Sequence, residues 1–494
     1  MGADGTIVQL FGVGSEAVSA VVSAQRRVNM YADTSNAQDK GGLTLYPRPG
    51  LAIYDESFGP RLVRGFMDGE LSQSFNGALP PTVGCMVAGD LIFLVPVPQS
   101  PLIGMLGFGA IAGAAMETST GRVMIERNSG QIIVVDGTTG YVVNTATGVV
   151  TTLSSHAPAA GFPNGATTVS YLASRFIANG PDGRFYWSAL NDGLSWSTLD
   201  FASAELAPDN LVATWVSNGQ LLLMGEYTTE FWAPSTGSAA FARVSGAAAP
   251  WGLLSPWSLK RVGSGTIFLG RNYQGDTKVL MLNGYDAQVI STPNVESRIQ
   301  AAQESAGVAV AMSFASGGHT FYRLRFPSFT LRYDLTTNAW DEDTTGPDGA
   351  NFCGEHGALI NGAFLVSDAS RSKIYYQQED AYADYDRPIV REVVTRHTFS
   401  DYDRTTVDKL GVDFETGIGL VSGQGSNPMA MLQVSRDNGR TWGNEMWASV
   451  GALGKYLTRV WWTRLGRSRD WLFRIKMSDP VRTIICGASL KVRP

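Results

Sequence analysis

The sequence predicts an all-β chain: a β-propeller of about seven blades followed by a C-terminal β-sandwich, with an extended N-terminal arm in front. Three observations carry this prediction. Between about residues 60 and 380, short β-rich runs return in groups roughly 40–50 residues apart, the length of one four-stranded blade. Glycine is abundant, 56 of 494 residues against a usual ~7%, and it comes with 12 Trp, 17 Tyr and 22 Phe, as expected of many strands joined by tight turns. After about residue 380 the grouping gives way to longer alternating runs.

Residues 1–50 read as the arm and propeller-closing segment, with a helix-compatible stretch at 15–22 and a Gly/Pro-rich piece at 41–50. Residues 51–380 read as the propeller. Its first unit opens at Arg61, and Cys85-Met86-Val87-Ala88 turns at Gly89-Asp90 into Leu91-Ile92-Phe93-Leu94. Ile132-Ile133-Val134-Val135 then turns at Asp136-Gly137, and Arg175-Phe176-Ile177-Ala178 turns at Pro181-Asp182-Gly183. Further groups start near Leu211, Ser258, Val308 and Asn351. A blade cannot bury both faces alone, and stacking blades around an axis solves this while leaving short edges. A sandwich or solenoid with the same strand spacing is the alternative.

The last unit, residues 353–377, holds only about three strands. The run containing Leu51, Ile53 and Tyr54 precedes the first unit and is expected to complete the last blade and close the ring. Its loss is expected to leave a soluble but loosened propeller. The Gly-rich apolar stretch 102–116, too short for the ~20 residues of a membrane span, reads as a buried or partner-facing loop, with a membrane-touching loop as the alternative. Residues 381–494 follow a polar linker ending at Pro388 and read as the sandwich.

Charge and motifs exclude several classes. The net charge of -6 is a poor fit to simple DNA coating, which needs a cation surplus. Three distant cysteines build neither a disulfide framework nor a zinc site. The G-x-G-x-x-A at residues 12–17 lacks a βαβ unit around it, and residues 451–456 lack the spacing of a phosphate loop. The myristoylation pattern at Gly2 and Thr6 is short enough to arise by chance. There is no G-x-S-x-G or H-E-x-x-H, and the four histidines are scattered. No catalytic residue, cofactor or metal is expected, and the chain is not expected to be an enzyme.

Two features stand out. Ser435, Asp437, Gly439, Thr441 and Trp442 match the Asp-box pattern S-x-D-x-G-x-T-W, with a degenerate relative at Asn191-Asp192-Gly193-Leu194-Ser195-Trp196. Its chemistry specifies a turn: a carboxylate accepts backbone N–H groups and Gly permits φ > 0. The rival function is therefore a carbohydrate-binding or sialidase-like propeller. Second, from Lys455 onward ten Lys and Arg face only Asp470 and Asp479, with Trp461, Trp462 and Trp471 among them. Interleaved Arg and Trp can clamp nucleic acid, or present a basic face to an acidic neighbour. Arg464, Arg467 and Arg469 are the expected interface residues.

Val28-Asn29-Met30-Tyr31 followed by Pro47-Arg48-Pro49-Gly50-Leu51 resembles the opening of the packaged-DNA stabilisation proteins of short-tailed bacteriophages, also called tail hub or nozzle proteins. Arg459-Val460-Trp461-Trp462-Thr463-Arg464-Leu465-Gly466-Arg467 is similar to that family's C-terminal segment, and Thr229-Glu230-Phe231-Trp232 to a strand between them. The resemblance implies a structural virion protein of the phage tail, assembled in the host cytoplasm. It implies a homo-oligomer, a hexamer, that extends the DNA channel below the portal, stabilises packaged DNA and takes part in its ejection. The implied partners are the head-to-tail adaptor, the tail needle, the tail spikes or fibres, and double-stranded DNA passing without sequence specificity.

Overall fold

The computed structural model describes residues 6–7, 10–14, 16–34, 42–56, 58–67, 71–72, 82–96, 109–110, 115–204, 207–236, 239–360, 362–399 and 403–493. Most of the apolar stretch 102–116, and Gly2, lie outside these residues. Five strands precede the blades: β1 (Thr6–Ile7), β2 (Arg26–Val28), β3 (Met30–Asp33), β4 (Thr44–Pro47) and β5 (Gly50–Asp55). Residues 16–22 are turns and bends rather than the expected helix. Arg27 explains this locally, since its guanidinium donates to the carbonyls of Gly12 and Gly14, each at 2.8 Å, and gathers the preceding chain into a loop.

Seven antiparallel sheets follow. Blade 1 spans Val63–Phe66 to Gly109–Ala110, blade 2 Met124–Arg127 to Val150–Thr152, and blade 3 Val169–Leu172 to Asp192–Ser203. Blade 4 spans Leu211–Ser217 to Phe241–Ala249, blade 5 Gly252–Leu253 to Asp286–Val289, and blade 6 Val310–Ser316 to Ala339–Glu342. Blade 7 has three strands of its own, Gly354–Ile360, Ala363–Asp368 and Ile374–Gln378, and β5 pairs antiparallel with the last of them, Gln377 opposite Leu51 and Tyr375 opposite Ile53. Innermost strands of neighbouring blades touch around the circle, blade 7 returning to blade 1, and between blades 4 and 5 Arg261 donates to the Val216 carbonyl at 2.8 Å. A helix, α1 (Pro293–Ala301), capped by Thr292, joins blades 5 and 6.

The core is distributed rather than central. Ile132 and Val134 pack against Cys85 and Val87 of blade 1, whereas Ile133 and Val135 on the same strand pack against Val169 and Phe176 of blade 3. The two-residue period of a strand sends alternate side chains to opposite neighbours, so a middle strand must be apolar throughout. Seven such clusters separate seven pairs of blades. Leu51 and Ile53 enter the cluster between blades 6 and 7, and Tyr54 the one between blades 7 and 1.

The sandwich strands are β6 (Arg391–Val394), β7 (Thr405–Phe414), β8 (Met429–Ser435), β9 (Met446–Ser449), β10 (Val460–Ser468), β11 (Asp470–Met477) and β12 (Ile485–Arg493). One sheet runs β3-β4-β12-β7-β10, with β1 also on β12. The other runs β2-β6-β11-β8-β9 and continues through β2 into blade 6, where Val28 pairs in parallel with Glu342. The arm is thus woven into both units. Met30, Ala32 and Leu45 share one core with Leu410, Trp462 and Phe473.

Candidate functional site

The basic C-terminal segment folds as β10, β11 and β12, of which β10 is an edge strand. On β10, Val460, Trp462, Leu465 and Ser468 are buried while Trp461, Thr463, Arg464 and Arg467 face water. Arg464 has φ +60° and lies at a register shift between β7 and β10. A bulge and outward charges on an edge strand oppose the addition of further strands. Arg464 and Arg469 are exposed and make no hydrogen bond or ion pair among the described residues. Arg467 donates to the Arg404 carbonyl at 3.3 Å. Arg404, Arg436, Arg467 and Arg469 line a cleft of about 780 Å³ together with Val21, Val22 and Phe399. The one carboxylate there, Asp470, is held by His397 at 2.5 Å.

The expected interleaving of Arg and Trp does not form a stacking platform. Trp462 and Trp471 are 4% and 1% exposed, in the sandwich core. Trp461 lies against Gly411, where an added Cβ would come within 2.9 Å of its ring, and Lys409 Nζ sits 3.0 Å from its centre.

The Asp-box is a hairpin turn between β8 and β9. Asp437 accepts from the Ser435 hydroxyl at 2.8 Å, the Thr441 N–H at 2.9 Å and the Thr441 hydroxyl at 2.6 Å. Asn438 and Gly439 take φ of 60° and 84°. Hydrogen bonds from Thr441 and Ser435 hold the Asp437 carboxyl down at about 2. Trp442 stacks with Arg474, whose guanidinium carbon is 3.9 Å from its ring centre. The polar groups of Ser435, Asp437 and Thr441 are spent inside the turn, and Trp442 anchors it to β11. Its stabilising effect should be full above the ordinary carboxylate range and be lost as pH falls through about 2. Asp437→Ala is expected to speed amide exchange of Gly439 and Thr441 while leaving the global melting temperature within a few degrees, read by hydrogen–deuterium exchange and calorimetry. The degenerate box forms a related turn in blade 3, where Leu194 N–H donates to Asp192 at 2.9 Å and Trp196 Nε1 to the Gly193 carbonyl at 2.8 Å.

A cavity of about 720 Å³ lies on the propeller axis, lined by residues of all seven blades, among them Phe66, Arg127, Tyr171, Trp215, Lys260 and His356. Burial lowers His356 to about 4, so it is neutral at physiological pH. Burial likewise pushes the Cys85 and Cys353 thiols up to about 12, which makes them poor nucleophiles. His319 is bound to Asp334 at 2.7 Å. No group of three metal-ligating side chains occurs among the described residues.

A buried charge network where the arm, blade 6 and the sandwich meet carried no distinct signal as a site, because charged residues on strands read as surface. Asp343 accepts from Arg323 Nε at 2.6 Å and Arg332 Nη1 at 2.8 Å, all three fully buried. Arg48 binds Asp384 through both terminal nitrogens, at 2.8 and 2.6 Å, and Arg27 binds Asp341. Arg323 is stacked between Phe314 and Phe352, and burial draws it down to about 10.

Residues 102–382 match the family described as bacteriophage P22 Gp10, beta-propeller, and residues 390–493 match its beta-sandwich. The chain belongs to the P22 Gp10 family. It is a phage structural protein, and its matched regions fall within the propeller, from the end of blade 1 onward, and within the sandwich. No curated protein matches it. Among solved structures it is similar to an extracellular domain from B. thetaiotaomicron, named as part of a hybrid two component system, with 8% identity and TM-score 0.44 over 67% of this chain. That match spans 40% of the other chain, under two thirds of its length. The designed Ika8 protein (10% identity, TM-score 0.40, 67% of this chain and 100% of that one) and the N-terminal domain of Nup159 (9%, 0.38, 72% and 99%) also match.

Proposed function

We propose that this Gp10-family chain is the tail hub, or nozzle, of a short-tailed phage. In this reading several copies, six by the resemblance, surround a channel that prolongs the DNA path below the portal and adaptor. They retain the packaged DNA, and they anchor the needle and the spikes or fibres. The chain is assembled in the host cytoplasm before it joins the particle.

The match to a phage DNA-stabilisation family over both domains carries the proposal. The conduit is assigned to the space between copies, because the axis of the single propeller is lined by side chains of all seven blades, Phe66, Tyr171 and Trp215 among them. The net charge of -6 suits a wall along which DNA slides, since like charge repels the phosphates.

Arg464, Arg467 and Arg469 are assigned to contacts with a neighbouring copy or another tail protein, because they are solvent-facing cations in an acidic chain. Changing all three to Glu is expected to leave the isolated chain folded, since exposed charges contribute about 0–1 kcal/mol each. It should block assembly onto DNA-filled heads, so that DNA leaks. Native mass spectrometry of the chain and DNA retention by mutant particles check this. Particles that assemble and hold DNA like the parent would reduce these arginines to protection of the β10 edge.

A further inference from the structure

Two loops at one end of the sandwich present apolar side chains directly to water. One joins β7 to β8 and the other joins β9 to β10. Leu457 is 95% exposed and Val421 88%, with Tyr456, Leu453 and Leu420 beside them at 70, 56 and 42%. Nothing in the sandwich core requires these residues to be apolar.

The loops are braced, so the exposure belongs to a built shape. Gly454 N–H donates to the Gly417 carbonyl at 3.0 Å, and Leu420 N–H to the Gly425 carbonyl at 2.8 Å. The Thr416 hydroxyl donates to the Tyr456 carbonyl at 2.7 Å. Tyr456 packs so closely on Gly417, at φ +80°, that a Cβ there would approach the ring to 2.5 Å. Across the two loops, residues 415–428 and 450–459, the charged side chains are Glu415, paired with Arg482 at 3.4 Å, and Lys455 and Arg459, so the apolar tips themselves carry cations and no carboxylate.

We propose that these loop tips dock on an anionic lipid surface. Apolar tips enter the boundary between headgroups and acyl chains, a tyrosine rests at that boundary, and Lys455 and Arg459 meet lipid phosphates. A bilayer accepts separate protrusions without matching their shape, whereas a protein partner needs a complementary, well-packed patch. A second copy offers a concave site at the opposite end of the same strands, the cleft at Val21, Val22 and Phe399. That cleft is rimmed by Arg404, Arg436, Arg467 and Arg469, which repel Lys455 and Arg459. On the reading of the chain as a tail hub, on which this consequence rests, such a contact would seat the tail on a lipid surface.

The full-length chain should float with vesicles of phosphatidylethanolamine and phosphatidylglycerol, and less with phosphatidylcholine alone. The double variant Val421→Asp/Leu457→Asp should lower its partition on the anionic vesicles by roughly tenfold or more with an unchanged melting temperature. Lys455→Glu/Arg459→Glu should abolish the preference for anionic lipid. Failure of the parent to float with either vesicle, or flotation of the Asp double variant at the parent's level, overturns the proposal. So does a double variant that changes the mass of a soluble oligomer while floating as before, because the loops would then be a protein contact.

Discussion

Removing residues 1–54 will abolish cooperative folding of both units, giving an insoluble chain or one without a sharp thermal transition. The sequence alone led us to expect the milder outcome of a soluble, loosened propeller, because only the closing strand was legible as structural. The pairings raise the stakes. Loss of β5 strips the last strand of blade 7, loss of β2 breaks the continuous sheet between blade 6 and β6, and loss of β3 and β4 opens the other sandwich sheet. Met30, Tyr31, Leu43, Leu45 and Leu51 are each at most 6% exposed. At about 1.5–3 kcal/mol per buried side chain the loss of these five amounts to roughly 8–15 kcal/mol. That rivals the ~5–15 kcal/mol by which a domain is stable at all. A narrower variant isolates the ring. Leu51→Asp places a charge in the cluster between blades 6 and 7 and should lower the melting temperature by several degrees or more while the sandwich strands keep their amide protection. Calorimetry and hydrogen exchange read the two cases. A truncated chain that melts like the parent would sink the idea that the arm holds the units together.

What was legible follows from range. Blade periodicity comes from pairings between consecutive strands, as in Ile132–Val135 with its Asp136-Gly137 turn, and such local pairing writes itself into composition. The closing role of β5 was legible because blade 7 is one strand short. The placement of β1 to β4 was not: β3 and β4 pair with each other, but what joins them, β1 and β2 to the rest lies hundreds of residues away, as with Leu45 opposite Ile485. Residues 15–22 carried a helical pattern that Arg27 overrides through contacts with the Gly12 and Gly14 carbonyls. The basic character of β10 was legible, yet its Arg–Trp interleaving divides across the two faces of a strand. Leu420, Val421 and Leu457 were unreadable as exposed, since an apolar residue in a loop looks the same whether it faces the core or water.

The buried charges at the junction should give the largest effect of any single substitution outside the apolar clusters. Asp343 is fully buried and is the shared acceptor of Arg323 and Arg332, with Arg48 Nε 3.9 Å away. Asp343→Ala leaves guanidinium groups in the interior without their carboxylate, an imbalance that costs about 3–5 kcal/mol when one partner of a buried pair is removed. Asp343→Asn keeps the shape and one acceptor oxygen and should cost less. The pH dependence separates this from simple loss of packing. Burial alone would raise the Asp343 carboxyl, but Arg332, Arg323 and Arg48 outweigh it and hold it below the ordinary carboxylate range. A depressed folded value means that the stabilisation is present above the unfolded carboxylate's ~3.9 and fades as pH falls through the lower folded value. The gap in unfolding free energy between parent and Asp343→Ala should therefore be widest near neutral pH and shrink below about pH 4, measured by denaturant titration across pH. A gap that stays constant down to pH 2 would show that Asp343 acts through shape rather than charge. A gap under about 1 kcal/mol at pH 7 would mean that water, not this carboxylate, satisfies the arginines.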